Sequence, residues 1–288
     1  MLSSLLSDYL KFLRSPNLTP PPRPPSLRQI IIQTLRLYSL HLLLIIGVGV
    51  LIGQVLEEGD SLIPELFDEI SPGALFFFAV VAAPIVEEIL FRLPLCAGLV
   101  NLVLPGSLLL GLGLLWLTPL GSSEIVMIMA LLAGFTLYLW RQRPPSRAIA
   151  QVYQRCPRLI FYTLTLLFGT IHITNYESQV WGLLPLLVLP QILAGLLFGF
   201  VRVRYGFGWA IALHAFHNGC ILLPVLCLQV LGSPQLQRQG LENVDLSTLP
   251  WRDQFLLLGI GCYFLGGLIL CLRATWELWR DGRKKTTH

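Results

Sequence analysis

A run of apolar residues from about Pro72 to Val100 carries two adjacent carboxylates and an arginine, Glu87, Glu88 and Arg92. The run is long enough to cross a bilayer as a helix, because a span needs about 20 residues. Ionisable groups at that depth are unfavourable, by roughly 2.5–3.5 kcal/mol each on insertion scales. A chain that keeps them there must pair them, place them in a hydrated cavity or use them in a reaction.

The composition points to the same environment for the rest of the chain. Of its 288 residues, 55% are hydrophobic and 12% are charged, and the mean hydropathy is +0.70. Soluble domains carry about 25% charged residues, so this chain is expected to be a polytopic membrane protein. The net charge of +4 comes from basic residues near the predicted helix ends and does not indicate a nucleic-acid partner.

Eight apolar runs predict an all-α polytopic fold of about eight transmembrane helices with a polar active-site cavity within the bilayer. Each run has about 17–29 residues, which is the length range of a membrane-spanning helix. The third and fourth runs are the shortest, and glycine and proline interrupt them. The eight runs lie near 29–53, 72–100, 102–118, 124–141, 157–175, 183–201, 207–230 and 253–274.

The segments outside these runs suggest an orientation. Residues 1–28 form an amphipathic and then proline-rich arm, residues 29–274 form the transmembrane domain, and residues 275–288 form a basic tail. If eight helices alternate in direction, nearly all lysines and arginines fall on one side of the membrane. The positive-inside rule then predicts that both termini are cytoplasmic. The absence of a clear targeting peptide favours a bacterial plasma membrane, or a thylakoid-type membrane.

The spacing of the charged residues in the second run predicts an ion pair. Glu88 and Arg92 are four residues apart, so they share one face of a helix and can pair within it. Glu87 is turned by about 100° from Glu88 and has no such partner in its own helix. Spacing alone leaves two interpretations of Glu87 open: a contact that locks two spans together, or a group that takes part in a reaction.

Two later runs carry polar side chains to a similar depth. His172 follows Phe168 by four residues in the fifth run, and His214 and Asn218 share one face of the seventh. Counted from the cytoplasmic ends at ~1.5 Å per residue, Glu87 and both histidines lie about 15–21 Å deep, in the middle of a ~30 Å hydrocarbon core. A carboxylate with a histidine can take a proton from water, and a second histidine with an asparagine can stabilise an oxyanion.

Three motifs in these runs resemble those of a known family. They are E-E-x-x-x-R at Glu87–Arg92, F-x-x-x-H at Phe168–His172 and H-x-x-x-N at His214–Asn218. Their order and their positions on separate spans are similar to those of the CAAX protease and bacteriocin-processing (Abi, CPBP) family of intramembrane glutamic endopeptidases. The resemblance covers about residues 72–230, the expected protease core.

The resemblance implies a function and a set of roles. It implies hydrolysis of a peptide bond in a membrane-associated protein or peptide, which is lipidated in some relatives. It implies no catalytic metal and no other cofactor. The implied roles are water activation for Glu87 and His172, oxyanion stabilisation for His214 and Asn218, and support for Glu88 and Arg92.

Three alternatives stay open at this point. A zinc ion could be held by Glu87, His172 and either His214 or His217, although the H-E-x-x-H motif is absent. The polar residues could instead join helices in a non-catalytic scaffold or immunity-type protein that binds another membrane protein. A transporter with a proton relay is less favoured, because no internal repeat is visible.

Overall fold

The structure, a computed structural model, describes residues 3–23, 25–56, 70–117, 122–142, 147–239 and 245–283. Over these residues the chain is helical and contains no strand. Several of the connections between the predicted runs lie partly outside the described residues, among them the one between the first and second runs (57–69) and the one between the fourth and fifth runs (143–146). The end of the predicted basic tail (284–288) also lies outside them.

The helices are numbered in chain order. The third helix contains a π-helical stretch at Phe77–Ala82 and ends in a 3-10 turn, and the seventh is extended by a 3-10 turn at Ile171–Asn175. The helices are α1 (Ser3–Arg14), α2 (Leu27–Ile52), α3 (Pro72–Leu95), α4 (Leu99–Leu117), α5 (Ser122–Gln142), α6 (Arg147–Arg155), α7 (Pro157–Thr170), α8 (Leu184–Leu187), α9 (Leu189–Tyr205), α10 (Phe207–Leu231), α11 (Pro234–Gln239) and α12 (Trp251–Arg283).

Among the described residues, four helices are long and apolar enough to cross a membrane: α2, α3, α10 and α12. Two bent helix pairs, one ending in α7 and the other in α9, raise the number to as many as six. The runs predicted at 102–118 and 124–141 fall on α4 and α5, whose described apolar parts, Leu99–Gly111 and Ala130–Leu139, are shorter. The all-α multi-pass class is confirmed, whereas the predicted count of about eight spans is not.

Proline accounts for the two bends. α6 and α7 meet at 84° at Cys156, whose φ of −125° and ψ of 41° are not helical. Pro157 follows, and proline disfavours the helical conformation of the residue before it. The second pair bends by 43° at Val188, two residues before Pro190. The run predicted at 183–201 is therefore a broken helix, whereas the bend at Cys156 lies just before the run predicted at 157–175.

α7 and α9 approach each other closely through three glycines, Gly169, Gly195 and Gly199, which we call the glycine seam. A Cβ atom at Gly169 would lie 2.4 Å from Cγ1 of Ile192, and one at Gly199 would lie 2.7 Å from Cε2 of Phe161. Small residues four apart commonly allow membrane helices to pack this tightly. The seam fixes the position of α7 against α9.

α1 is packed into the helical core. Its residues Leu5 and Tyr9 are buried in a cluster formed mainly by α2 and α9. The Tyr9 hydroxyl lies 2.8 Å from Nε2 of His41, whose Nδ1 lies 2.9 Å from the Leu37 carbonyl. Because a carbonyl only accepts, Nδ1 carries the proton and Tyr9 donates to Nε2. The amphipathic helix predicted near the N-terminus therefore has its apolar face covered by protein.

Candidate active site

The two glutamates follow a widened turn of α3. In the π-helical stretch Phe77–Ala82 the backbone closes into longer rings, and the Ala83 N–H bonds to the Phe78 carbonyl five residues back. Pro84 comes next and has no N–H to donate. Single π turns inside α-helices are uncommon and often occur at functional sites. This turn sets the rotation of the helical segment that carries both carboxylates.

Glu88 lies at the centre of a buried charged network. Its side chain is fully buried, and Oε1 lies 3.0 Å from Nδ1 of His214 and 3.6 Å from Nε of Arg92. The contact with Arg92 confirms the pair predicted from the four-residue spacing. An ionised carboxylate only accepts, so Nδ1 of His214 donates to it. Glu88 therefore orients the His214 imidazole and balances part of the charge on a guanidinium that is also buried.

Glu87 occupies a different environment from its neighbour. Its side chain is 21% exposed, and Oε2 lies 3.5 Å from Nε2 of His214, so this imidazole bridges the two glutamates. The same oxygen is buried and accepts no hydrogen bond from the described residues. Glu87 thus keeps an acceptor that no donor among the described residues uses, in contact range of an imidazole.

His172 lies just beyond α7, in the 3-10 turn Ile171–Asn175. Its Nδ1 lies 2.7 Å from the Phe168 carbonyl, so Nδ1 carries the proton and the neutral ring has an accepting Nε2. No ion pair within 4.0 Å joins His172 to Glu87 among the described residues. The Phe168 ring lies between the two groups, with its centre 5.0 Å from that of His172 and 5.8 Å from that of His214, the imidazole that contacts Glu87. The predicted pair is brought near but not into direct contact.

Two phenylalanines, Phe168 and Phe198, form an aromatic wall around these groups. The guanidinium carbon of Arg92 lies 3.7 Å from the Phe168 ring centre and 5.6 Å from that of Phe198. The His214 ring stacks on Phe198 at 4.6 Å, and the His172 ring meets Phe168 edge-on at 5.0 Å. Both Nη atoms of Arg92 lack hydrogen-bond partners within the described chain, so the ring faces are important partners of this cation.

Asn218 lies on α10 one turn after His214, but the two side chains contact different groups. Asn218 donates from Nδ2 to the Ala79 carbonyl at 2.8 Å, whereas His214 contacts both glutamates. His217 lies 3.2 Å from the Tyr38 hydroxyl and is held on the side of α2. The comparison of depths thus correctly predicted that α10 meets the glutamates, and His214 makes that contact. Asn218 lies instead against the π turn of α3.

Sequence reasoning missed some of the supporting residues. Arg202 on α9 is buried and donates from Nε to the Arg92 carbonyl at 3.0 Å. Its charge at the C-terminal end of the glutamate-bearing segment also favours that helix end. In the sequence, Arg202 counted only as a topology signal. Phe198 was hidden among the apolar residues of its run, since nothing in a single sequence marks a phenylalanine as the stacking partner of a histidine.

The described residues include no group of three or more His, Cys, Asp or Glu side chains placed to hold a metal ion. His214 directs both ring nitrogens towards carboxylates, and His217 contacts Tyr38. The ligand set considered from the sequence is therefore not assembled as such in the part of the chain that the structure describes.

The fold and the site define a class, that of all-helical, multi-pass membrane proteins in which separate spans bring carboxylates and imidazoles together. A model of the type II CAAX prenyl endopeptidase Rce1-like family matches residues 69–220, slightly more than half of the chain and all three motifs. The chain belongs to this family, which is a family of proteases. Comparisons with curated proteins and with solved structures give no match.

Proposed function

We propose that this protein is an intramembrane endopeptidase of the glutamic type, in which Glu87 and His172 activate a water molecule. The observation that carries the proposal is the buried Oε2 of Glu87, which has no hydrogen-bond donor among the described residues and lies 3.5 Å from His214. An ionised carboxylate in that position can accept a proton from water as the water attacks. His172 offers its accepting Nε2 to the same water, because its Nδ1 is held by the Phe168 carbonyl.

His214 and Asn218 then stabilise the charge that develops on the substrate. In this proposal His214 carries protons on both ring nitrogens, so that Nδ1 donates to Glu88 and Nε2 donates to the oxyanion, and the Asn218 amide has a second N–H besides the one given to Ala79. The water oxygen bonds to the carbonyl carbon while its proton passes to Glu87. When the tetrahedral intermediate collapses, the C–N bond breaks and Glu87 returns the proton to the leaving amine.

The proposed substrate is a membrane-associated protein or peptide that ends in a prenylated CAAX sequence. Support comes from the family, whose description is that of a CAAX prenyl endopeptidase. A prenyl chain partitions into the bilayer, where each buried CH2 contributes about 0.8 kcal/mol, and this brings its peptide to an enzyme whose site lies among membrane-spanning helices. Cytoplasmic termini are part of the proposal, since the positive-inside rule predicts them.

Turnover by purified protein tests the mechanism. A fluorogenic prenylated CAAX peptide is incubated with the wild type, with Glu87→Gln and with Glu277→Gln, a matched carboxylate-to-amide change on α12. We expect Glu87→Gln to lower kcat by about 10²–10⁴-fold, the usual contribution of a general base, with an unchanged unfolding temperature. Glu277→Gln should retain activity. Full activity in Glu87→Gln would refute the assigned role.

Two further arms separate the alternatives. Activity that persists in a strong chelator, in a sample without bound metal, supports the glutamic mechanism, whereas loss that zinc restores would assign the zinc mechanism. A matched peptide without the prenyl group tests the substrate class, and equal cleavage of both peptides would remove the lipid requirement. Absence of any cleavage, with retained binding of a membrane partner, would favour the scaffold.

A further inference from the structure

α3 contains a backbone acceptor that its own helix cannot satisfy. The Ala83 N–H bonds to the Phe78 carbonyl, so the next bond in the same register would join the N–H of residue 84 to the Ala79 carbonyl. Residue 84 is proline and has no N–H. A carbonyl without a donor is strongly unfavourable in an apolar environment. Asn218, from the facing helix α10, donates to this oxygen at 2.8 Å.

The chain uses the same arrangement at a second proline. Pro224 lies inside α10, and an N–H at that position would have bonded to the Cys220 carbonyl four residues back. The Tyr263 hydroxyl, from α12, donates to the Cys220 carbonyl at 2.9 Å. At both prolines a side chain from a neighbouring helix replaces the missing backbone donor.

The bond from Asn218 also has a geometric consequence for the glutamates. α10 is attached to α3 at two points one turn apart on α10, through His214 to Glu88 and through Asn218 to the Ala79 carbonyl. One attachment would leave α3 free to rotate about its axis, whereas two fix both its distance and its rotation. The segment between the two attachments on α3 contains Pro84 and Glu87.

We propose that Asn218 is a positioning residue that supplies the hydrogen bond missing at Pro84, and so holds the π turn that directs Glu87 and Glu88 towards His214. This inference rests on the proposed function and deepens it. Asn218 then contributes to turnover mainly through its hydrogen bond to the backbone of α3, and to a smaller extent through direct contact with substrate.

A rescue experiment separates the two contributions. Pro84→Ala restores a backbone N–H that can donate to the Ala79 carbonyl, but it gives nothing to a substrate oxyanion. We expect Asn218→Ala to lower kcat by about 10–100-fold with little change in KM, and Pro84→Ala alone to stay within about threefold of wild type. The double variant should recover at least about tenfold over Asn218→Ala.

Pro224→Ala provides the matched control, because it also returns an N–H to a helix but not to the Ala79 carbonyl. It should fail to rescue Asn218→Ala, while restoring the unfolding temperature lost in Tyr263→Phe. If Pro84→Ala does not fold, Pro84→Leu supplies the same N–H with an apolar side chain. A double variant no more active than Asn218→Ala would overturn the inference and leave Asn218 as a substrate contact.

The failure of this inference and the failure of the proposed function can be told apart. If Glu87→Gln cleaves as well as wild type, the proposed function fails, whatever happens at Asn218. The unfolding temperature then still reports on the hydrogen bond. It should fall in Asn218→Ala and recover with Pro84→Ala, and an unchanged value in both variants would refute the missing-donor role without any measurement of activity.

Discussion

The glycine seam between α7 and α9 makes a quantitative prediction for Gly169→Ala. The new Cβ would lie 2.4 Å from Cγ1 of Ile192, about 1 Å closer than ordinary van der Waals contact at 3.4 Å. Cγ1 is close to the main chain, and the Ile192 backbone nitrogen is itself only 3.4 Å away, so rotation of a flexible chain end cannot relieve the contact. Overpacking of a core by one methyl group usually costs about 1–3 kcal/mol, and we expect the upper end here.

A glycine elsewhere in the chain should give a change in the free energy of unfolding of the opposite sign. Gly47 on α2 has nothing within 4 Å of the position its Cβ would take, so Gly47→Ala should be neutral or stabilising by about 0.5–1 kcal/mol. Gly195→Ala should fall between the two, because its nearest contacts are at 3.1–3.2 Å. The order of the three free energies of unfolding, measured by denaturant titration in detergent, tests the seam.

The same substitution should also reduce turnover. Gly169 directly follows Phe168, whose carbonyl holds the His172 ring, so separation of the two helices displaces this imidazole. We expect Gly169→Ala to lose cleavage of the prenylated peptide under conditions in which Gly47→Ala retains it. A Gly169→Ala protein as stable as Gly47→Ala would refute the packing argument, and a destabilised protein with full kcat would refute its link to the site.

Two further predictions concern buried polar contacts. Glu88→Gln leaves buried Arg92 without its counter-charge and should lower the free energy of unfolding by about 3–5 kcal/mol. The control Glu277→Gln should change this free energy by about 1 kcal/mol or less. Similar values for the two variants would contradict the buried network. Tyr9→Phe removes the donor to His41 and should cost about 1–3 kcal/mol. Burial raises the pKa of Tyr9 above its ordinary value of about 10, so the phenol stays protonated and keeps its donor at about pH 7–9. Denaturant titration of wild type and Tyr9→Phe in that range measures the loss, and equal stability of the two proteins would contradict the contact.

The parts of the site that were predictable depend on helix geometry alone. The pair of Glu88 with Arg92 follows from a four-residue spacing, which any α-helix converts into a shared face. The contact of Glu87 with His214 follows from their similar depths, because residues at the same depth in one bilayer lie at the same level along the membrane normal. Neither inference required knowledge of which helices are neighbours.

The parts that were not predictable depend on rotation about the helix axes. The contact of Asn218 with the Ala79 carbonyl depends on a π turn, and a π turn leaves no reliable pattern in a single sequence. The bends before Pro157 and at Val188 also escaped prediction, because hydropathy counts apolar residues and does not measure direction. The predicted number of spans exceeded the number that the described helices support because the apolar parts of α4 and α5 are shorter than a span.

The two adjacent glutamates of α3 lie in different environments, and the proposed mechanism gives them different tasks for that reason. Glu88 contacts both Arg92 and His214. Loss of its negative charge would leave a buried guanidinium without its counter-charge, which should lower the free energy of unfolding by about 3–5 kcal/mol. Glu87 pairs with no guanidinium among the described residues and is partly exposed, so a change in its charge leaves the Glu88–Arg92 pair in place. In the proposed mechanism Glu88 therefore supports the fold while Glu87 transfers the proton, and stability should respond to Glu88→Gln but not to Glu87→Gln.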